Sequence, residues 1–176
     1  MRFTRLTAAS IALLVLGTSS AYALNVKKRI NAPGHPPKVW EVAGEFCSIK
    51  DWHPAIADCK ETEEGGATIR ILTLKDNGGT IKEKLVDKDD VEMSYSYEIV
   101  ESPLPVKNYT AKFWVEDDEK SPDRTTIFWE ADFDANGASD EEATKVIRDI
   151  FMAGLKGIKQ KMLPPEGEGH GDGEPE

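Results

Sequence analysis

From Ala67 to Phe133, apolar and polar residues alternate in short runs interrupted by clusters of Gly, Pro, Asp, Asn and Ser. The stretches ATIRILTL, TIKEKLVD, EMSYSYEIV, KNYTAKFWVED and RTTIFWEADF have the two-residue period of β-strands, and NGG, DD, SPLPV and KSPD have the composition of turns. Upstream, WHPAIADCKETEEGG reads as a turn and a strand, and LNVKKRINA as a short opening strand. Six or seven strands with short connections predict an antiparallel meander. One of them is chemically odd: in GTIKEKL, Gly79 to Leu85, the carboxylate of Glu83 shares a face with Ile81 and Leu85.

Two segments switch to helical spacing. PPKVWEVAGEFCSIKDW starts on Pro36 and Pro37 and repeats Val39, Trp40, Val42, Ala43 and Phe46 as a first helix, broken near Ser48. Ser139 followed by Asp140, Glu141 and Glu142 is a capping box with acids at the positive end of the helix dipole. Ala143, Val146, Ile147, Ile150, Phe151, Gly154, Leu155, Ile158 and Met162 then form one apolar stripe, and Pro164-Pro165 ends it. Asp140 to Leu163 spans roughly 36 Å at the helical rise. A rod that long hides its stripe only if the sheet curls around it. The predicted class is therefore α+β with the helix-grip arrangement, a curved antiparallel sheet of six to seven strands wrapped around a long C-terminal helix.

Arg2 and Arg5 precede the apolar LTAASIALLVLG, which leads into Ala21-Tyr22-Ala23. This is the layout of a secretory signal peptide over residues 1–23 and predicts export, most simply to a bacterial periplasm, with a retained anchor as the alternative. No stretch approaches the roughly 20 apolar residues of a membrane-spanning helix. Residues 24–163 suit a single domain, and residues 164–176 contain no large apolar side chain and are expected to be a disordered acidic tail. Cleavage removes Arg2 and Arg5, leaving 20 basic against 32 acidic residues, a net charge of −12. Such a surface repels phosphate backbones, so nucleic acid is not an expected partner.

Cys47 and Cys59 enclose eleven residues. They are either a disulfide, which export favours and which a chain-entropy model values at about 3 kcal/mol, or two buried thiols that never meet. Zinc is disfavoured, because the pair lacks C-x-x-C spacing and two further ligands. The sequence has no Ser-His-Asp arrangement, phosphate-binding Gly-rich loop, HExxH or metal-spaced His cluster, and no cofactor or metal is expected.

The run GATIRILTL, GTIKEKL, SYSYEIVESPLPVKNYTAKFWV, IFWEADFDANG and SDEEATKVIRDI resembles the polyketide cyclase and START-like superfamily, also called SRPBCC, including the plant abscisic-acid receptors. The resemblance covers roughly Val26 to Leu163. The exported, acidic form with CSIKDWHPAIADC is further similar to the MxaD-type periplasmic accessory proteins of bacterial methanol oxidation. That narrower likeness implies a non-catalytic helper of a methanol dehydrogenase and its c-type cytochrome electron acceptor.

In helix-grip proteins the concave face of the sheet and the last helix enclose a cavity. Strand parity predicts its lining as Leu72 and Leu74; Ile81, Glu83 and Leu85; Tyr95, Tyr97 and Ile99; and Tyr109, Ala111 and Phe113, with Val146, Ile150 and Gly154 from the helix. By resemblance to the receptors, Glu83 and Glu130 match two carboxylates lining the ligand pocket, Tyr109 matches a tyrosine there, and His53 falls where a ligand-pairing lysine sits. The parity of Thr125 to Phe133 leaves two faces open, one with Ile127, Trp129, Ala131 and Phe133, the other with Phe128, Glu130 and Asp132. A buried carboxylate needs a partner, and His53, Arg70 or a tyrosine hydroxyl could supply one to Glu83. Glu83 is then either a ligand contact or a structural ion pair, and His53 either a pocket group or a turn histidine before Pro54.

Three functions follow as expectations. The first is the non-catalytic accessory protein, for which Trp114 and Trp129 would form an exposed aromatic pair if Glu130 points inward. The second is a carrier of a hydrophobic or carboxylated small molecule. The third is a cyclase or dehydratase using His53 and Glu83 as general acid and base on a carbonyl compound.

Overall fold

The computed structural model describes residues 23–164. The expected leader, apart from Ala23, and the acidic tail from Pro165 onward lie outside the described residues. The elements are β1 (Leu24–Pro33), α1 (Pro36–Ala43), α2 (Ile49–Trp52), β2 (Ile56–Glu64), β3 (Ala67–Leu74), β4 (Thr80–Asp89), β5 (Ser94–Glu101), β6 (Val106–Asp117), β7 (Arg124–Ala135) and α3 (Asp140–Lys161). The seven strands make one sheet in the order β1-β7-β6-β5-β4-β3-β2. Every neighbouring pair is antiparallel, so β2 to β7 is an unbroken meander and the first strand is added beside the last.

The final helix forms where its sequence signals place it. Ser139 Oγ accepts from the Glu142 amide at 3.2 Å and Glu142 Oε2 accepts from the Ser139 amide at 3.0 Å, which closes the capping box. Its 22 residues cover roughly 33 Å. Ala143, Ile147, Phe151, Leu155 and Ile158 are buried along one stripe, which packs on β1 and β7. The sheet supplies the facing surface by simple alternation: Tyr109, Ala111, Phe113 and Val115 of β6, and Ile127, Trp129, Ala131 and Phe133 of β7, all point inward.

Two register shifts between β4 and β5, after Lys82 and after Leu85, bend the sheet. The unpaired residues are Val100 and Val86, which are among the large apolar side chains left exposed. The shifts preserve the inward row, so Ile81 and Glu83 stay on the concave side. At the open edge of the sheet, a disulfide joins Cys47, between α1 and α2, to Cys59 on β2, with Cα atoms 5.5 Å apart. The pair of cysteines is therefore a bridge and not two separate thiols. It fixes the α1–α2 corner against the edge strand.

Candidate functional site

Between the concave sheet and α3 lies a cavity of about 220 Å³. β3 contributes Leu72 and Leu74; β4, Ile81 and Glu83; β5, Tyr97 and Ile99; β6, Tyr109; and β7, Trp129. The α2–β2 corner adds Ile49, His53, Ala55 and Ile56, and α3 adds Ile147, Ile150 and Phe151. Residues from six strands and two helices thus meet around one space, which only a curled sheet permits. The lining side chains that retain some exposure, Ala55, Leu74, Ile99, Leu104 and Ile150, mark its mouth. That mouth lies beside the β3–β4 and β5–β6 turns, which approach each other where Gly79, at φ +90°, faces Pro103.

Glu83 is held by Arg70. The two stand opposite each other in the β3–β4 register, and Arg70 Nε donates to Glu83 Oε2 at 2.5 Å. Arg70 is fully buried; its Nη1 donates to the Phe46 carbonyl, and its guanidinium lies 3.9 Å from the Phe46 ring centroid and 4.9 Å from that of Tyr97. Burial pushes the Glu83 carboxyl above its ordinary value, and Arg70 pulls it partly back. Burial also opposes the charge on Arg70, yet Glu83 and the surrounding tyrosines keep it above its ordinary value. Arg70 is the permanent cation of the pair, and Glu83, 2.5 Å from its Nε, is the counter-ion. Glu83 lines the cavity; Arg70 sits behind it.

His53 and Trp129 are also engaged. His53 Nδ1 accepts from the Ala55 amide at 3.2 Å, which places the proton on Nε2, 3.1 Å from the Ile150 carbonyl that accepts it. Burial lowers the His53 pKa, and the bond to Ile150 only partly compensates. Trp129 Nε1 donates to Tyr97 Oη at 2.9 Å. Burial pushes the Tyr97 and Tyr109 phenols well up and Tyr95 to about 12, so all three are neutral at physiological pH. Among the described residues, Glu83 is the one carboxylate on the cavity wall, which carries no lysine or arginine.

A depressed histidine pKa has a definite linkage sign. The stabilisation it reflects is fully present above the unfolded value of about 6.5 and is lost as pH falls through the folded value. Urea denaturation at pH 7 and pH 5 should therefore show a larger loss of stability for the wild type than for His53→Gln, which has no charge to gain. Equal losses would mean that His53 is not buried neutral.

The family model described as polyketide cyclase/dehydrase and lipid transport matches residues 23–163. The chain belongs to this family. Among solved structures, XoxI from Bacillus cereus is 34% identical, covering 81% of this chain and 98% of its own, with a TM-score of 0.75. An uncharacterised protein from Bacillus thuringiensis is 31% identical over 80% of this chain and 100% of its own, at a TM-score of 0.74. The Zhui aromatase/cyclase from a Streptomyces species, 19% identical over 80% of this chain and 94% of its own, shares the fold at a TM-score of 0.64. No curated protein matches the sequence.

Within this family fold, His53, Leu72, Leu74, Glu83, Tyr97, Tyr109 and Ile150 stand on the cavity as parity and resemblance expected. Glu130 does not. β7 turns its Ile127–Phe133 row inward, and Glu130 points out of the sheet, 3.2 Å from Lys27 Nζ and bonded to Asn25. Trp129 consequently lies inside, stacked on Phe151 with ring centroids 4.4 Å apart. There is no exposed Trp114–Trp129 pair; the register sets Trp114 opposite Phe128, and those two rings stack at 4.8 Å on the outer face. Tyr95 is buried but lies beyond the cavity, stacked on Phe113 at 5.2 Å. Val146 is one helical step away from the wall, where Ile147 stands instead.

The residues the sequence did not yield are Ile49, Ala55, Ile56, Leu104, Ile147, Phe151 and Trp129. Trp129 carried a usable signal, because four apolar residues alternate on its parity against one on the other. The loop residues carried none.

Proposed function

We propose that the protein binds a small, largely apolar molecule in this cavity and performs no chemistry on it. The cavity's size and hydrocarbon wall carry the reading. Cavities of about 150 Å³ lined by aliphatic and aromatic side chains take up benzene, so about 220 Å³ suits a substituted single ring and is too small for a membrane lipid. The acid–base pairing of a cyclase has no support from the site: both nitrogens of His53 are committed to backbone groups, and Glu83 is clamped by Arg70. The disulfide and the leader-like N-terminus favour an exported, periplasmic location.

Titration with p-xylene, followed by methyl NMR of Leu72, Ile81 and Ile150, tests the reading. Saturable shifts confined to lining residues are expected. Ile150→Trp should close the mouth and abolish them while lowering the melting temperature by only a few degrees. Shifts scattered over the surface, or unaffected by that variant, would sink it.

A second reading, the accessory role in methanol oxidation, is favoured by the Trp114–Phe128 stack on the outer face, with Lys27 Nζ 4.7 Å from the Trp114 ring centroid. Aromatic side chains of this kind anchor protein contacts. The Trp-His-Pro stretch lends it less, since Trp52 and His53 are buried against α3. Adding the protein to a methanol dehydrogenase and its c-type cytochrome should change the electron-transfer rate, and Trp114→Ala should cancel the change.

A further inference from the structure

The charge balance around Glu83 narrows the class of ligand, given the binding reading above. We infer that the cavity selects a neutral hydroxyl compound, a phenol or similar single-ring alcohol, that donates a hydrogen bond to Glu83, and that it rejects carboxylates. The observation is the order of charges along the wall. Glu83 faces the cavity, whereas its counter-ion Arg70 lies behind it, buried by Phe46 and Tyr97.

Only Oε2 of Glu83 is taken by Arg70. The carboxylate's other oxygen has acceptor capacity that no described residue uses, and Glu83 opens on to the cavity. His53 offers nothing to an anion, because its one proton is donated to Ile150. Tyr97 Oη accepts the Trp129 N–H, and the Tyr97 and Tyr109 hydroxyls on the wall are neutral donors that carry no charge to balance an anion. An incoming carboxylate would therefore leave water for a hydrocarbon wall on which the facing charge is also negative. A cation would fare little better, since the Arg70–Glu83 pair is already neutral and the extra charge would stay uncompensated. A neutral donor avoids both costs and gains a hydrogen bond to an ionised acceptor, the stronger kind.

The test compares three probes of one shape at pH 7: p-cresol, p-xylene and p-toluate, titrated calorimetrically into the wild-type protein. p-Cresol should bind about ten-fold more tightly than p-xylene, the effect of one such bond after its desolvation, and p-toluate should not bind. The two affinities should converge in the double variant Arg70→Met/Glu83→Leu, whose folding is checked by its melting curve. If that variant does not fold, the carboxyl carbon resonance of Glu83 in the wild type should shift with p-cresol and not with p-xylene. Binding of p-xylene with no preference for p-cresol, or with equal binding of p-toluate, overturns this inference and leaves the apolar cavity standing. Binding of none of the three overturns both.

Discussion

Glu83→Leu is expected to destabilise the protein by about 3–5 kcal/mol, the usual cost of stranding one member of a buried ion pair. The reason is what it leaves behind. Arg70 has no exposed surface, and its Nη1 is bonded to the Phe46 carbonyl while its Nη2 has no partner among the described residues. Its guanidinium cannot lose its proton in the way a buried lysine would, so the charge persists without a counter-ion. Against a typical total stability of about 5–15 kcal/mol, the variant should be partly unfolded or close to it. The double variant Arg70→Met/Glu83→Leu removes both charges and should recover most of the loss, because exchange of a buried pair for apolar side chains is near neutral or stabilising. Urea denaturation of the wild type, both single variants and the double variant gives the coupling energy directly. If Glu83→Leu costs less than about 1 kcal/mol, the pair is hydrated and the cavity wall is not as dry as its burial indicates.

The pair also shows what the sequence made legible. A carboxylate in an apolar row of β4 announced a buried partner, and the alternation of β3 put Arg70 on the correct face. Which of three candidates would meet it depended on cross-strand register, and that is set by the β3–β4 turn, where Asp76, Asn77 and Gly79 all take positive φ. The strand count and the final helix were readable because each rests on local periodicity and on a cap that closes within four residues. β7 was ambiguous because the resemblance set Glu130 inward against the parity of Ile127, Trp129, Ala131 and Phe133. The apolar residues on the other face outvote it, and the outward Glu130 finds Lys27 and Asn25 on the neighbouring strand. Ile49 from the short helix α2, and Ala55 and Leu104 from turns, come to the cavity at positions that depend on distant segments folding against each other, and no local pattern encodes that.

The same distinction governs the second large effect, expected at Gly157. Taken alone, a glycine inside a helix costs about 1 kcal/mol relative to alanine, so helix propensity favours Gly157→Ala. Packing opposes it. A Cβ at Gly157 would fall on the Trp52 carbonyl oxygen, a backbone atom at the end of α2 that no rotamer change can move. At Gly154, one turn earlier, a Cβ would lie 2.6 Å from His53 Cδ2 and 2.7 Å from the Trp129 ring. These two glycines let the α2–β2 corner rest directly on α3, and that contact sets the distance over which His53 reaches the Ile150 carbonyl. Overpacking against side chains costs about 1–3 kcal/mol, and a backbone clash belongs at or above the top of that range, so it outweighs the propensity gain. Gly157→Ala should therefore lower stability by about 3 kcal/mol and also weaken p-xylene binding, because Ile49, His53 and Ala55 leave the wall together. Gly137→Ala is the informative comparison. Its φ of +78° strains any side chain, but nothing lies within 4 Å of its Cβ, so it should cost stability with no effect on the ligand. If Gly157→Ala were to stabilise the protein as propensity alone would have it, the corner does not rest on α3, and the cavity loses the part of its wall that Ile49, His53 and Ala55 supply.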